Sequence, residues 1–259
     1  MSAYEDIRVE RDGGIVTITL DRPDAGNRFR VQTTRELADA LRTFRDSLED
    51  RVAILTGAGE KFFCIGGEHD PIERFEPSQA LPIIDVYELL DSIPKPIIAA
   101  VNGFAVGGGN VLHTICDITV AAERALFRQV GPMVGSFDAG YGTWFLEETI
   151  GRKKAKEMWY FNRKYTAQEA LAMGLVNEVV PNDQVLDRAR ELAGELLQKG
   201  PGPIGALKAA FSARHTGVVG QARMAHDVLL TQYLRSNEAH ELSESFGERR
   251  PPDQETFGR

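Results

Sequence analysis

The sequence predicts an α/β fold in which a mainly parallel sheet is covered on both faces by helices, followed by a helical C-terminal part. Three observations carry this. The runs Val52-Ala53-Ile54-Leu55-Thr56, Pro96-Ile97-Ile98-Ala99-Ala100-Val101 and Asp117-Ile118-Thr119-Val120-Ala121 are short and largely apolar, as strands buried on both faces must be. Helical segments alternate with them, which is the pattern of parallel crossovers. Beyond about residue 145 the strong strand runs stop, and charged helical segments take over.

The elements follow in order. Gly14–Leu20 reads as the first strand, stopped by the turn Asp21-Arg22-Pro23-Asp24. A helix is expected over Thr33–Leu48, capped by Thr33 or Thr34, with Leu37, Leu41, Phe44 and Leu48 on one face. The strand Val52–Thr56 is closed by Gly57-Ala58-Gly59, and a helix Gly108–Cys116 lies between the next two strands. Further helices are expected near Lys153–Tyr160, Ala167–Met173 and Asp183–Gln198. Gly200-Pro201-Gly202-Pro203 marks a break, so residues 1–200 form the core and 201–259 a helical region suited to contacts between subunits.

Bulk properties narrow the function classes. At 259 residues the chain can bury a large core. A net charge of −8 opposes a broad nucleic-acid footprint, while leaving room for a local basic pocket. No apolar run approaches the roughly 18 residues of a membrane helix, and the acidic start Met1–Asp6 is unlike a signal peptide. The two cysteines, Cys64 and Cys116, make neither a disulfide framework nor a zinc spacing. A cytoplasmic, metal-free protein is expected.

The chemistry is expected at two glycine clusters that follow strands, Ile65-Gly66-Gly67-Glu68 and Gly107-Gly108-Gly109-Asn110. Glycine lets backbone approach a ligand, and amides at a helix start carry partial positive charge. Two such amides converging on one point stabilise a developing oxyanion; each cluster could equally be a tight turn. Neither has the G-x-G-x-x-G or P-loop spacing of nucleotide sites. His113, Cys116 and Asp117 could suggest a metal, but on an apolar helix a packed histidine is the simpler reading. Lys153, Lys154 and Lys156 read as a solvated helix face, and no G-x-S-x-G elbow accompanies Ser136.

The ordered set Asp21-Arg22-Pro23, Asn27, Leu55-Thr56-Gly57, Phe63–Gly67, Pro94–Gly103, Gly107-Gly108-Gly109, Cys116-Asp117, Ala167–Ala170, Gly174–Asn177 and Val179-Val180-Pro181 resembles the crotonase (enoyl-CoA hydratase/isomerase) superfamily along nearly the whole chain. The resemblance implies a spiral of ββα units with a helical C-terminal trimerisation region, a homotrimer or homohexamer, an acyl-CoA substrate and no bound cofactor beyond the coenzyme A of the substrate. It places the oxyanion amides at Gly67 and Gly108, and substrate or CoA contacts at Arg28, Ile65, Gly66, Glu68, Phe104, Val106, Gly107, Tyr233 and, from a neighbouring subunit, Arg249. The acyl pocket would draw on Phe62, Ile72, Phe75, Ile83 and Val86.

One departure redirects the chemistry. Family hydratases carry two glutamates where this chain has Val111 and Gly131, and hydration needs both carboxylates. The stretch Phe127–Gly142 with Gly151–Tyr160 instead resembles two branches of the superfamily, the ring-opening 2-ketocyclohexanecarboxyl-CoA hydrolases and the ring-closing 1,4-dihydroxy-2-naphthoyl-CoA synthases. By that resemblance Ser136, Asp138 and Tyr141 act on the acyl group, and Gln129, Gly131 and Trp159 surround a bicarbonate, another anion or a water. The missing side chain at Gly131 would leave space for it. Helix capping by Ser136 or Asp138, and core packing by Trp159, are the structural alternatives. Asn110 matches the hydrolase branch, where the synthases have histidine; Gly26 stands where the synthases have arginine, and Leu234, beside Tyr233, where both branches have a functional tyrosine. The leading expectation is C–C hydrolysis of a cyclic β-keto acyl-CoA. A Dieckmann-type synthase, an enoyl-CoA hydratase or isomerase, and a non-catalytic CoA-binding or interaction protein are the alternatives.

Overall fold

The computed structural model describes residues 4–68, 82–213, 217, 222 and 224–257. Two sheets organise it. The larger has the order β1-β2-β3-β5-β7-β10, formed by Ile7–Asp12 (β1), Ile15–Leu20 (β2), Val52–Gly57 (β3), Ile97–Val101 (β5), Ile118–Ala122 (β7) and Glu178–Val180 (β10). The smaller has the order β4-β6-β8-β9, from Phe62–Cys64 (β4), Phe104–Val106 (β6), Leu126–Arg128 (β8) and Tyr165–Thr166 (β9). The helices are Val31–Asp46 (α1), Pro82–Ser92 (α2), Gly108–Ile115 (α3), Tyr141–Ile150 (α4), Arg152–Phe161 (α5), Ala167–Ala172 (α6), Val185–Leu197 (α7) and Pro201–Ser212 (α8). A π-helical segment Met224–Leu230, a turn Thr231–Tyr233 and a helix Asn237–Glu248 complete the chain.

Each repeat sends one strand to each sheet before its helix: β3, β4, α2, then β5, β6, α3, then β7, β8, α4. This is the expected ββα spiral. From β2 to β10 the large sheet is parallel throughout. Its strands alternate side chains between two apolar layers. Ala53, Leu55, Ile97, Ala99, Val101 and Ala121 face the main core, while Val52, Ile54, Ile98, Ala100, Val120 and Ala122 face Val185, Ala189 and Ala193 of α7. Burial on both faces explains why these strands carry so few polar residues.

Five local expectations are corrected. An antiparallel strand, β1, precedes β2 and was hidden because its face away from the core is charged (Arg8, Glu10, Asp12). Helix α1 starts at Val31 after Arg30 rather than at a threonine cap, and Thr33 instead accepts from the Arg30 amide and donates to Asp6. Leu48 lies past the helix end and is 99% exposed. The C-terminal part does contain strands: β10 extends the large sheet through Glu178↔Val120. The Gly200–Pro203 break coincides with a helix start, because proline is tolerated in the first turn where its missing N–H is not needed.

Helix α8 is fastened to the core by a buried lysine. Lys208 Nζ donates to the Leu90 carbonyl (2.9 Å), the Lys95 carbonyl (3.1 Å) and Asp117 Oδ2 (2.8 Å). Burial pushes the Asp117 carboxyl up and Lys208 opposes that shift. Removing one member of such a buried pair strands the other charge. Lys208→Ala is therefore expected to cost about 3 kcal/mol in urea unfolding, whereas Lys156→Ala on the exposed face of α5 should stay within about 0.5 kcal/mol. Equal midpoints for the two variants would contradict this role for Lys208.

Candidate active site

The two glycine clusters meet because β4 and β6 are neighbouring parallel strands, paired at Phe62↔Phe104 and Cys64↔Ala105 with a shift of register between them. Gly66-Gly67 leaves the end of β4, and Gly107-Gly108 leaves the end of β6 and opens α3. Gly109 brings them together, since a β-carbon there would collide with the Cys64 carbonyl. The Gly108 amide lies in the first turn of α3 and has no intrahelical acceptor. Around Gly67, the Phe29 amide donates to the Gly66 carbonyl (3.0 Å) and the Glu68 amide to the Phe29 carbonyl (2.9 Å). The Gly67 N–H therefore points away from Phe29, because extended backbone alternates its amides. The Phe29 ring packs under both glycines: a β-carbon would come within 3.0 Å of it from Gly67 and 2.5 Å from Gly108.

Beside this pair of amides lies a buried polar group. Asp138 Oδ1 accepts from the amides of Gly140 (3.1 Å) and Gly142 (2.9 Å), so it caps the start of α4. Its Oδ2 is 3.5 Å from His226 Nε2. Burial pushes the Asp138 carboxyl up, but His226 and the two amides outweigh it and hold the group below the ordinary carboxylate value. Val111 and Asp138 Oδ2 both abut the α-carbon of Gly142, where a β-carbon would approach each within 2.9 Å. The carboxylate of Asp138 thus stands next to position 111, which carries no charge here. Tyr87 of α2 is buried, and its hydroxyl would lie 3.3 Å from a β-carbon on Gly108. Burial and the charge of Asp138 push its hydroxyl well above the ordinary tyrosine value, so it stays protonated and can donate. The Tyr141 ring lies 5.7 Å from that of Tyr87 and stacks on Phe145 at 5.9 Å.

Other expected residues are placed as follows. Ile65, Phe104 and Val106 are half-buried, and Gly66 is buried. Gly107 takes a positive φ of 56° at the start of α3. Glu68 is committed to an ion pair with Arg22 (2.7 Å), and exposed Arg28 offers its carbonyl to the same arginine. Ile65 fills the space a side chain at Gly26 would need. The Tyr233 ring lies tilted against that of Phe137 (5.5 Å), and its hydroxyl donates to Glu238 (3.2 Å). Arg249 is exposed at the end of the helix Asn237–Glu248. Ser136 is half-buried, with its amide donating to the Gly131 carbonyl (2.9 Å). Ile72 and Phe75 lie outside the described residues.

The expected anion site needs correction. The space imagined beyond Gly131 is taken by the Ser136 carbonyl, 2.6 Å from where its β-carbon would be. The Trp159 indole N–H donates to the Gly142 carbonyl (3.3 Å). Gln129 alone of the three keeps buried amide atoms, Nε2 and Oε1, without a partner among the described residues. Gln129 is thus the member of the trio whose side chain is left to hold a water or small anion. Phe29, Tyr87 and His226 were not anticipated as site residues.

The sequence matches the profile of the enoyl-CoA hydratase/isomerase family over residues 10–256. Among solved structures, an enoyl-CoA hydratase/isomerase from Pseudoalteromonas atlantica T6c superposes with a TM-score of 0.88 at 25% identity, covering 96% of this chain and 99% of that one. A carnitinyl-CoA hydratase from Mycobacterium avium is 32% identical, with a TM-score of 0.83 and coverage of 96% and 97%. A monofunctional enoyl-CoA isomerase from M. smegmatis is 29% identical, with a TM-score of 0.71 and coverage of 84% and 99%.

His113, on α3 behind the site, is a packing residue. Its Nε2 is 3.1 Å from Asn110 Oδ1, its Nδ1 3.4 Å from Thr119 Oγ1, and its ring 4.9 Å from that of Phe127. No group of three or more metal-ligating side chains occurs among the described residues. Burial pushes His113 down to about 3. Because the folded value lies below the unfolded one, stability from this group is complete above about pH 6.5 and lost as pH falls towards 3, at about 1.4 kcal/mol per pH unit in the steep region. Replacing it as His113→Gln should flatten the acid limb of a stability–pH curve by one proton. An unchanged slope would mean that His113 is charged in the folded protein.

Proposed function

Because the chain belongs to the enoyl-CoA hydratase/isomerase family, we propose that it binds an acyl-CoA thioester with the carbonyl oxygen between the Gly67 and Gly108 amides and stabilises the resulting enolate. The observation that carries this reading is the convergence of two glycine backbones, one at a helix start, beside an ionised and buried Asp138. Amides fixed in this way act on developing charge without reorganising, and each such donor contributes about 3 kcal/mol to the barrier in comparable sites.

Within that frame the reaction is ring opening of a cyclic β-keto acyl-CoA. Water adds to the keto carbon while Asp138 Oδ2 accepts its proton. The bond from that carbon to the α-carbon breaks, and its electron pair becomes the thioester enolate held by Gly67 and Gly108. Asp138 returns the proton to the α-carbon, so the product gains one water. Tyr87 donates to the keto or thioester oxygen, Ser136 and Tyr141 orient the ring, and Gln129 holds the water. Hydration of a plain enoyl-CoA is disfavoured because both hydratase carboxylate positions, Val111 and Gly131, lack an acidic group. A double-bond isomerase is the second reading, favoured by the single carboxylate beside the amides, since moving a proton between two carbons needs only one base.

CoA phosphates would be met by Arg28 and by Arg249 of a neighbouring copy. Self-association as a trimer or hexamer is supported by the exposed apolar side chains Leu207, Phe211, Phe246 and Phe257 of the C-terminal region. Among the described residues no helix is long and apolar enough to cross a membrane.

Incubation with 2-ketocyclohexanecarboxyl-CoA should yield the pimeloyl thioester, heavier by one water, as read by mass spectrometry. Asp138→Asn should lower that turnover at least about 10²-fold with CoA binding retained. Turnover of a β,γ-enoyl-CoA in place of the cyclic ketone would move the assignment to the isomerase. Full activity of the Asp138→Asn protein would remove Asp138 from the mechanism.

A further inference from the structure

We propose that His226 is a positioning residue for catalysis, sharing one buried proton with Asp138, so that the acid–base group of the site is the pair rather than a lone carboxylate. The inference rests on the acyl-CoA reading above and adds to it a residue from the C-terminal region.

Hydrogen-bond chemistry favours the shared proton. His226 Nδ1 is 3.2 Å from the Ala222 carbonyl. A carbonyl only accepts, so Nδ1 carries a hydrogen. Nε2 then faces Asp138 Oδ2 at 3.5 Å. If the histidine were neutral and the aspartate ionised, two acceptor lone pairs would face each other in a buried site, which is unfavourable. One proton between them removes that conflict. Oδ1 is already used by the Gly140 and Gly142 amides, so Oδ2 is the oxygen left for proton transfer.

The approach of the two segments is built into the backbone. A β-carbon on Gly140 would come within 2.5 Å of the Ala222 side chain, and Gly135 fits against the Ala239 backbone in the same manner. The Asp138 loop is thus packed against the C-terminal segments that carry His226 and Ala239. Thr231 Oγ1 donates to the His226 carbonyl (3.2 Å), which ties the end of the π-helical segment to it. Among the described residues, Tyr87 of α2 faces Asp138, with Cys64 and Tyr141 of α4 beside Tyr87. The phenol of Tyr87 and the thiol of Cys64 are pushed upward by burial and stay neutral. The pair is therefore the charge-bearing unit at this position among the described residues.

In turnover the resting pair holds one proton. When Oδ2 takes a proton from water, an O–H bond of the water breaks, its electron pair forms the new C–O bond, and the pair holds two protons. Return of that proton to the α-carbon uses the electron pair of the enolate and restores the resting state. No external acid, base or oxidant is consumed. His226 keeps the carboxylate ionised before the first transfer and makes it a stronger acid for the second.

The test is histidine-selective 15N NMR of the intact protein, with the His226 signal assigned by its loss in His226→Gln. Both ring nitrogens of His226 should carry protons near neutral pH, and Asp138→Asn should convert it to the neutral Nδ1–H tautomer. A bare Nε2 in the wild type, unaffected by Asp138→Asn, would overturn the proposal. A second arm follows the enolate absorbance of bound acetoacetyl-CoA against pH. His226→Gln should shift that profile at retained binding, and an unshifted profile also overturns the proposal. If acetoacetyl-CoA fails to bind even the wild type, the acyl-CoA reading has failed, while the 15N arm still decides the pair.

Discussion

The site depends on one close contact, the seating of the first turn of α3 on the carbonyl at the end of β4. Only hydrogen at the α-carbon of Gly109 permits it, because a methyl group would overlap the Cys64 carbonyl. Parallel pairing of β4 with β6 sets the lateral spacing, and the glycine contact sets how far the helix start descends towards Gly67. Phe29, bridged to Gly67, fills the remaining space beneath both glycines. The helix start then presents an unshared amide and the positive end of its dipole to the place a thioester oxygen would occupy. A close-packed interior transmits any displacement here directly to that geometry.

Around this fixed point the charges are arranged economically. Where the family's hydratases carry glutamate, Val111 is apolar, yet Asp138 enters the same neighbourhood from the loop before α4. Its burial is offset by two helix-start amides and an imidazole, so it stays ionised without a surface exit. Tyr87 adds a neutral donor. In the proposed mechanism these groups would serve proton transfer at carbon or at an attacking water.

Much of the fold was legible in the sequence, since strands buried on both faces must be apolar throughout and glycines after strands mark close backbone approach. The Gly67 and Gly108 placement followed from those patterns and the resemblance together. For Asp138 the resemblance implies a role on the acyl group and the local sequence a helix cap; the structure shows the cap, with Oδ2 beside His226. What could not be read were contacts made across the chain. The pairing of His226 with Asp138 depends on Gly140 admitting Ala222, and nothing local to either residue signals it. Phe29 sits in a loop whose sequence gives no periodicity, and Tyr87 looks like an ordinary core residue of α2. The supposed void at Gly131 failed for a related reason: backbone from Ser136, five residues on, folds into it.

The most direct test of the central contact is the enolate absorbance of acetoacetyl-CoA bound to Gly109→Ala, compared with the wild type at matched occupancy of the CoA site. Lifting α3 off the Cys64 carbonyl should separate the two amides and abolish the bound enolate signal, while circular dichroism shows the fold retained. An undiminished enolate signal in the folded variant would contradict the claim that this seating creates the oxyanion site.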